Sequence, residues 1–410
     1  MWAALGATRR ASDEKNNIEL DQYIKNLPFQ KAKHRKYQSK KVLVDENVFI
    51  KETKISTQNA FGKILDQYAK NNTDFSRRIL TTSPDVSVST NLGPWINRKG
   101  LFSRKDSSDT FKDRKIPSAQ KWIFSSQGQH IELGIAEMNL FLMLGAAGLS
   151  HEFFGERLFP IGTVYDPFIS RGLDAMNYAC YQDARFMIVG TPSGISLAPE
   201  GGAHQSIATP LIGISQPGLL SFEPAFADEL ALIMNYGFNY LQDESGGSIY
   251  LRLTTRSIDQ PMREIDNELK NNIIKGAYWL KKPGPNPEVI IVYQGAVASE
   301  AIESTALLGE KFKNSGVLSI TSSDKLFHEW KNQNSTSHIE LLLEGVPRDT
   351  RIITVIDGHP MTLSWIGSIY GHKTIPLGVS SFGQTGKVED LFKEFTIDSQ
   401  SISNLGFSIN

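Results

Sequence analysis

The chain has 410 residues, which at about 150 per domain means two or three domains. Its 40% hydrophobic and 21% charged residues exclude a mostly disordered chain, a collagen and a coiled coil. With 43 Lys and Arg against 44 Asp and Glu, the net charge of -1 gives no global field that would draw it to nucleic acid or anionic lipid.

A single cysteine, Cys180, cannot form an internal disulfide and fits a reducing compartment. No run of about 18 apolar residues is present to span a membrane. The apolar start before Arg9-Arg10 is too short for a signal peptide, so a cytoplasmic protein is expected. Residues 1–52 are polar and charged, with basic clusters at Lys31-Ala-Lys-His-Arg-Lys36 and Lys40-Lys41, and read as a solvated extension. Ser56 or Thr57 then caps a helix whose Ala60, Phe61, Ile64, Leu65 and Tyr68 share one face. Arg78 to Ser83 reads as a strand ending at Pro84-Asp85, followed by a long loop from Asn91 to Gly128. Gly134 to Leu149 is apolar all round and predicts a buried helix.

Further on, Arg185–Gly190 and Ser248–Thr254 are strands by composition, and Pro224–Gln242 is an amphipathic helix. Polarity rises over Asp259–Asn272, the expected inter-domain linker. After it, strands at Val289–Tyr293, Val317–Thr321, Arg351–Ile356 and Thr374–Gly378 alternate with helical segments such as Ser299–Phe312. That alternation predicts βαβ units, hence two α/β domains with mostly parallel sheets: 53–262 and 263–410, behind the 1–52 extension.

Several chemistries are absent. Phe382-Gly-Gln-Thr-Gly-Lys387 resembles a phosphate loop, but Ser381 replaces its first glycine and Val388 follows the lysine. His151-Glu152 has no second histidine at zinc-protease spacing, and neither a dinucleotide fingerprint nor a nucleophile elbow occurs. Cys180 lies in an apolar stretch and reads as an inert core thiol. Two segments remain. Glu137 opens an otherwise hydrophobic helix, where it either offsets the helix dipole or waits, desolvated, for a nitrogen donor. Glu200-Gly-Gly-Ala-His204 sets an acid and an imidazole around glycines that let backbone approach a ligand.

Taken in order, Ser83-Pro-Asp85, Gly134-Ile-Ala-Glu137, Tyr165-Asp-Pro-Phe168 and Glu200-Gly-Gly-Ala-His204-Gln resemble the pyrimidine-binding domain of transketolase-like thiamine diphosphate enzymes. Phe382-Gly-Gln-Thr resembles their C-terminal domain, and Thr82–Pro210 looks most like the homodimeric-type pyruvate dehydrogenase decarboxylating component. The resemblance implies that Glu137 hydrogen-bonds the cofactor's aminopyrimidine and so promotes loss of the thiazolium C2 proton. It implies that Phe168 stacks on the pyrimidine, Tyr165 lines the pocket, Asp85 stands near the thiazolium and His204 faces substrate. Val86 replaces the second acid that many of these relatives carry, and Gln-Ser-Ile-Ala-Thr-Pro follows His204 in place of a histidine-rich run.

The superfamily grips diphosphate and Mg²⁺ through a Gly-Asp-Gly motif with Asn-Asn downstream. No Gly-Asp-Gly occurs here, and the Asn-Asn pairs at 16, 71 and 271 have no such partner. The expectation is therefore one subunit of a split enzyme or a truncated product, with no metal ligand of its own. An oligomer is expected, with a diphosphate-binding subunit and an acyltransferase component as partners, and no nucleic acid or membrane. The implied activity is 2-oxo acid (pyruvate) dehydrogenation; ketol transfer between sugar phosphates and a non-catalytic assembly subunit are the alternatives.

Overall fold

The structure, a computed structural model, describes residues 14–27, 39–46, 48–105, 113–117, 122–309, 311–332 and 334–408. The basic cluster Lys31–Lys36 lies outside the described residues. After helix α1 (Glu14–Asn26) the chain reaches the main body earlier than a solvated extension would. Val42, Val44 and Val48 are buried in the first core, and Leu43 faces solvent. The Gln242 side chain accepts from the Val42 amide at 2.7 Å and donates to its carbonyl at 3.1 Å. An alternation of three residues is too short a signal to show among the charges around it.

Strand β1 (Lys54–Ile55) leads to α2 (Thr57–Asn71), capped by the Ser56 hydroxyl, which accepts from the Asn59 amide at 3.1 Å. The five expected apolar residues are its buried stripe. Then come α3 (Asp74–Arg78), β2 (Ile79–Ser83), α4 (Gly93–Lys99), β3 (Leu101–Phe102), β4 (Phe124–Ser125) and β5 (His130–Glu132). Helix α4 and the two short strands replace part of the expected loop: Pro94 sits in the first turn and Gly100 follows the last residue, so the punctuation marks the ends of a helix. Next are α5 (Glu137–Gly148), α6 (Ser150–Phe154), β6 (Phe159–Val164), α7 (Leu173–Tyr181), β7 (Met187–Gly190), α8 (Thr209–Ser215), β8 (Leu219–Phe222), α9 (Ala227–Tyr240), β9 (Ser248–Arg252) and β10 (Ile258–Asp259).

Eight of these strands form one sheet in the order β4-β3-β5-β2-β6-β7-β9-β8, with every neighbouring pair parallel. Both faces are covered, which is why β7 reads as a continuous apolar run. Met187 and Val189 face a core with Ile64 and Phe159, while Ile188 faces Leu140 and Phe141 of α5. The expected full burial of α5 is corrected: Leu140, Phe141 and Leu144 are buried, but Met138, Leu142 and Ala146 are exposed, Leu142 by 58%.

The expected linker contains structure as well. Strand β10 pairs antiparallel with β1, and α10 (Asn267–Lys275) starts at Asp266, whose carboxylate accepts from the Leu269 amide at 2.8 Å. A second sheet follows: β11 (Ala277–Lys281), β12 (Val289–Gln294), β13 (Gly316–Ile320), β14 (Arg351–Ile356) and β15 (Thr374–Leu377), in the order β11-β13-β12-β14-β15. Only the edge strand β11 runs antiparallel to its neighbour.

The two sheets meet around one buried guanidinium. Arg252 Nε donates to Asp166 at 3.0 Å, Nη1 pairs with Glu223, and Nη2 donates to the Asp357 carbonyl at 2.8 Å. The Asp357 carboxylate accepts from the amides of Ile195 at 2.8 Å and Ser196 at 3.1 Å. That approach requires Gly194, at φ +68°, because a Cβ there would strike the same carboxylate. Gln294 donates to Glu223 at 2.9 Å. Burial pushes the Glu223 carboxyl up to about 7, against the opposing pull of Arg252 and Gln294.

Candidate functional site

The carboxyl edge of the larger sheet collects the chemistry. Helix α5 begins at Glu137, whose carboxylate pairs with the Arg171 guanidinium; the two side chains are 12% and 53% exposed. Glu137 is thus at the rim of the protein, ion-paired and not fully desolvated. Arg171 belongs to a 3₁₀ segment, Asp166–Gly172, that follows β6 and lies on α5. Gly172 permits this closeness, since a Cβ there would collide with the Phe141 ring. The guanidinium carbon of Arg171 also sits 3.9 Å from the centroid of Phe168.

Phe168 links Glu137's partner to the other predicted residues. It stacks on Tyr165 with centroids 6.0 Å apart and 10° between planes, and meets the His204 imidazole edge-on at 5.4 Å. Tyr165 is 6.4 Å from the same imidazole, and its hydroxyl lies 3.5 Å from the Glu200 carboxylate. Glu137, Arg171, Phe168, Tyr165, His204 and Glu200 therefore form one continuous cluster from three separate segments. Asp85 lies at the end of β2, exposed and at φ 64°, and shares none of these contacts among the described residues.

Residues the sequence did not single out hold the cluster together. Buried Asp166 accepts from the hydroxyls of Ser206, Thr209 (2.5 Å) and Tyr250, besides Arg252. It thereby ties the segment of Phe168 to the loop of His204. The second domain supports that loop from behind: Gln205 donates to the Gln384 carbonyl at 3.1 Å, and the Gly386 amide to the Ala198 carbonyl at 3.2 Å. Glu132, at the end of β5, accepts from the Asp85 amide at 2.7 Å and from the Ser87 hydroxyl. Burial tends to raise its pKa, but His130, Ser87 and the Asp85 amide outweigh that and hold it below the usual glutamate value. The only sequence signal was position, since Glu132 lies five residues before Glu137 in the same segment.

Cys180 is buried, and that burial pushes its thiol up to about 11, the state of an unreactive core residue. No group of three or more His, Cys, Asp or Glu side chains suited to a metal ion exists among the described residues. No described helix is long and apolar enough to cross a membrane.

Comparison with known proteins agrees with this architecture. Residues 276–398 match the transketolase-like C-terminal domain. The pyruvate dehydrogenase E1 component of Escherichia coli K12 is 24% identical over 365 residues, which cover 85% of this chain and 40% of that protein. The chain thus spans well under half the length of this curated relative. Transketolase from Leishmania mexicana shares the fold with a TM-score of 0.69 at 18% identity, over 88% of this chain and 46% of that one. A split-gene transketolase solved as an inactive β4 tetramer has a TM-score of 0.58 at 18% identity, over 86% of this chain and 97% of that one. Residues 38–261, more than half of the sequence, match the pyruvate dehydrogenase E1 component middle domain, and the chain belongs to that family.

Proposed function

We propose that this chain is the pyrimidine-binding half of a thiamine-diphosphate-dependent 2-oxo acid dehydrogenase acting on pyruvate or a close analogue. In this reading residues 53–262 bind the pyrimidine, residues 263–410 form the C-terminal domain, and a second polypeptide supplies the diphosphate and Mg²⁺ site. The observation that carries it is the position of Arg171. A flat, nitrogen-rich cation lies on the Phe168 face with an N–H on the Glu137 carboxylate. An aminopyrimidine needs the same two contacts, so the donor set fits the group. Arg171 is half exposed and free to swing towards solvent when a ring takes its place.

Each residue then has a task. Glu137 accepts an N–H from the pyrimidine and holds the proton shared with it. Phe168 supplies the stacking face and Tyr165 the wall behind it. His204 turns an imidazole towards the substrate side, where it can pass a proton or steady a developing oxyanion. Asp85 and Glu132 close the neighbouring edge. When bound, thiamine diphosphate supplies the electron sink for decarboxylation.

Partner dependence is supported by the exposed apolar residues next to Glu137: Ile135 at 82%, Met138 at 42% and Leu142 at 58%. The split-gene transketolase, inactive as a β4 tetramer, matches this chain over nearly its whole length. A stack and one or two hydrogen bonds do not offset an association cost of roughly 4–15 kcal/mol. Calorimetry with Mg²⁺ and thiamine diphosphate should therefore detect tight binding only when a diphosphate-domain subunit is added. Micromolar binding or pyruvate decarboxylation by the chain alone would overturn the half-enzyme reading. Ketol transfer between sugar phosphates is the second reading, favoured by the cationic Arg171 at the mouth of the site; assays with both substrate classes separate the two.

A further inference from the structure

A second cleft, of about 580 Å³, lies at the opposite end of the larger sheet. Its walls are the residues that lead into β3, β4 and β5 together with the last turns of α3 and α4: Arg77, Arg98 and Lys99, with Asn72, Ile123 and Gln127. That size suits a small molecule and not a macromolecule. Among the described residues no carboxylate lines it.

The three cations are poorly matched. Asp66 accepts from Arg98 Nε and is shared with Lys70 at 2.6 Å, so one acid serves two bases. Arg77 gives one N–H to a neutral partner, the Asn72 carbonyl, at 3.2 Å. The Lys99 ammonium reaches the Asn72 side-chain oxygen at 3.5 Å and lies 5.8 Å from the centroid of the Trp95 ring, both neutral partners. Burial chiefly, with a smaller push from the nearby Arg77 charge, holds the Lys99 pKa below the usual lysine value. Basic residues in last turns also offset helix dipoles, but each helix end carries only about half a charge, and α3 and α4 are short. Arg77 and Lys99 have only neutral partners among the described residues and Arg98 shares its one acid with Lys70, so the cleft keeps an excess of positive charge that attracts anions.

We infer that this cleft binds a small phosphorylated metabolite bearing at least two anionic groups, gripped by Arg77, Arg98 and Lys99. Arg77 and Arg98 offer fork-shaped donor pairs for phosphate oxygens, and Lys99 adds a point charge between them. The inference is independent of the reading given for the Glu137 site, which lies at the other edge of the sheet.

The probe is inorganic pyrophosphate, followed by calorimetry and phosphorus NMR on the full chain at low ionic strength. Saturable one-to-one binding is expected, weakening as salt is added. Arg77→Gln combined with Lys99→Gln should weaken it by roughly a hundredfold, about tenfold for each charge-assisted contact removed. Gln127→Glu, an exposed change that places a carboxylate in the cleft without touching the core, should weaken it as well. Glu137→Gln should leave pyrophosphate binding unchanged, which separates this cleft from the other site. Absence of saturable binding to the wild-type chain would overturn the inference. So would binding that persists in both cleft variants, or that is lost with Glu137→Gln.

Discussion

Glu137 and His204 reach the Phe168 ring by different routes, one through Arg171 over its face and the other edge-on. Their replacement should therefore separate two stages of catalysis. On the proposed function, Glu137→Gln in the assembled enzyme keeps volume and a hydrogen-bonding end but cannot hold a proton shared with the pyrimidine. Turnover should fall by about 10²–10⁴ with the fold intact, as steady-state kinetics and circular dichroism would report. His204→Ala should lower turnover while cofactor affinity, read by calorimetry, stays near wild type. Unchanged turnover in Glu137→Gln would remove the proton-sharing role. As members of one cluster these residues were legible because each sits in a short segment with its own pattern. Asp166 was not, because its meaning lies in partners such as Tyr250 and Arg252, 84 and 86 residues further along the chain. Glu132 was hidden likewise: its hydrogen bonds to Asp85 and Ser87 cross 47 and 45 residues.

Helix α5 presents two apolar faces with different fates, and point changes can tell them apart. Leu144 is fully buried beneath the sheet, and its side chain would lie 2.6 Å from any Cβ placed on Gly162 of β6. Leu144→Ala should cost about 2–5 kcal/mol of stability in chemical denaturation, through lost burial and an unfilled cavity. Leu142→Ser, on the exposed face, should change stability by about 0.5 kcal/mol or less. On the proposed function it should nonetheless weaken association with a diphosphate-domain subunit, measured by titration of one chain with the other. A sequence that is apolar all round cannot distinguish a core helix from one whose second face awaits a neighbour. Strand β6 escaped the reading for a related reason: Pro160 and Gly162 are normally strand breakers. Here Gly162 is the residue that lets α5 approach. The strands β7, β12 and β14 were legible because parallel strands covered on both faces become continuous Val and Ile runs.

At the scale of the whole molecule, the junction between the sheets makes stability depend on pH. The folded-state pKa of Glu223, about 7, lies above its ordinary value of 4.5. Below about 4.5 the group is protonated in both folded and unfolded chains, and its contribution is fully present. As pH rises towards 7 the unfolded chain releases the proton while the folded chain keeps it, so stability falls by up to about 1.4 kcal/mol per pH unit. Above 7 the loss is complete. Glu223→Gln removes this titration, so its melting temperature should decline less than that of wild type between pH 4.5 and 7. Parallel melting curves for the two proteins across that range would show that Glu223 does not titrate as described.

The same junction limits how freely this architecture can be recombined. Two α/β units joined by a linker suggest interchangeable modules, yet Arg252 of the first finds its carbonyl partner on Asp357 of the second. Ile195 and Ser196 place their amides on that same aspartate. A chimaera that took its second unit from a relative lacking Asp357 would keep a backbone carbonyl for Arg252 but would bury the Ile195 and Ser196 amides without their carboxylate. Leaving a buried donor without its partner costs about 1–3 kcal/mol, so two such amides cost a large share of the stability of an ordinary domain. Domain exchange in this family is thus constrained to donors that carry an aspartate at the end of the strand equivalent to β14, facing a glycine that leaves room for it.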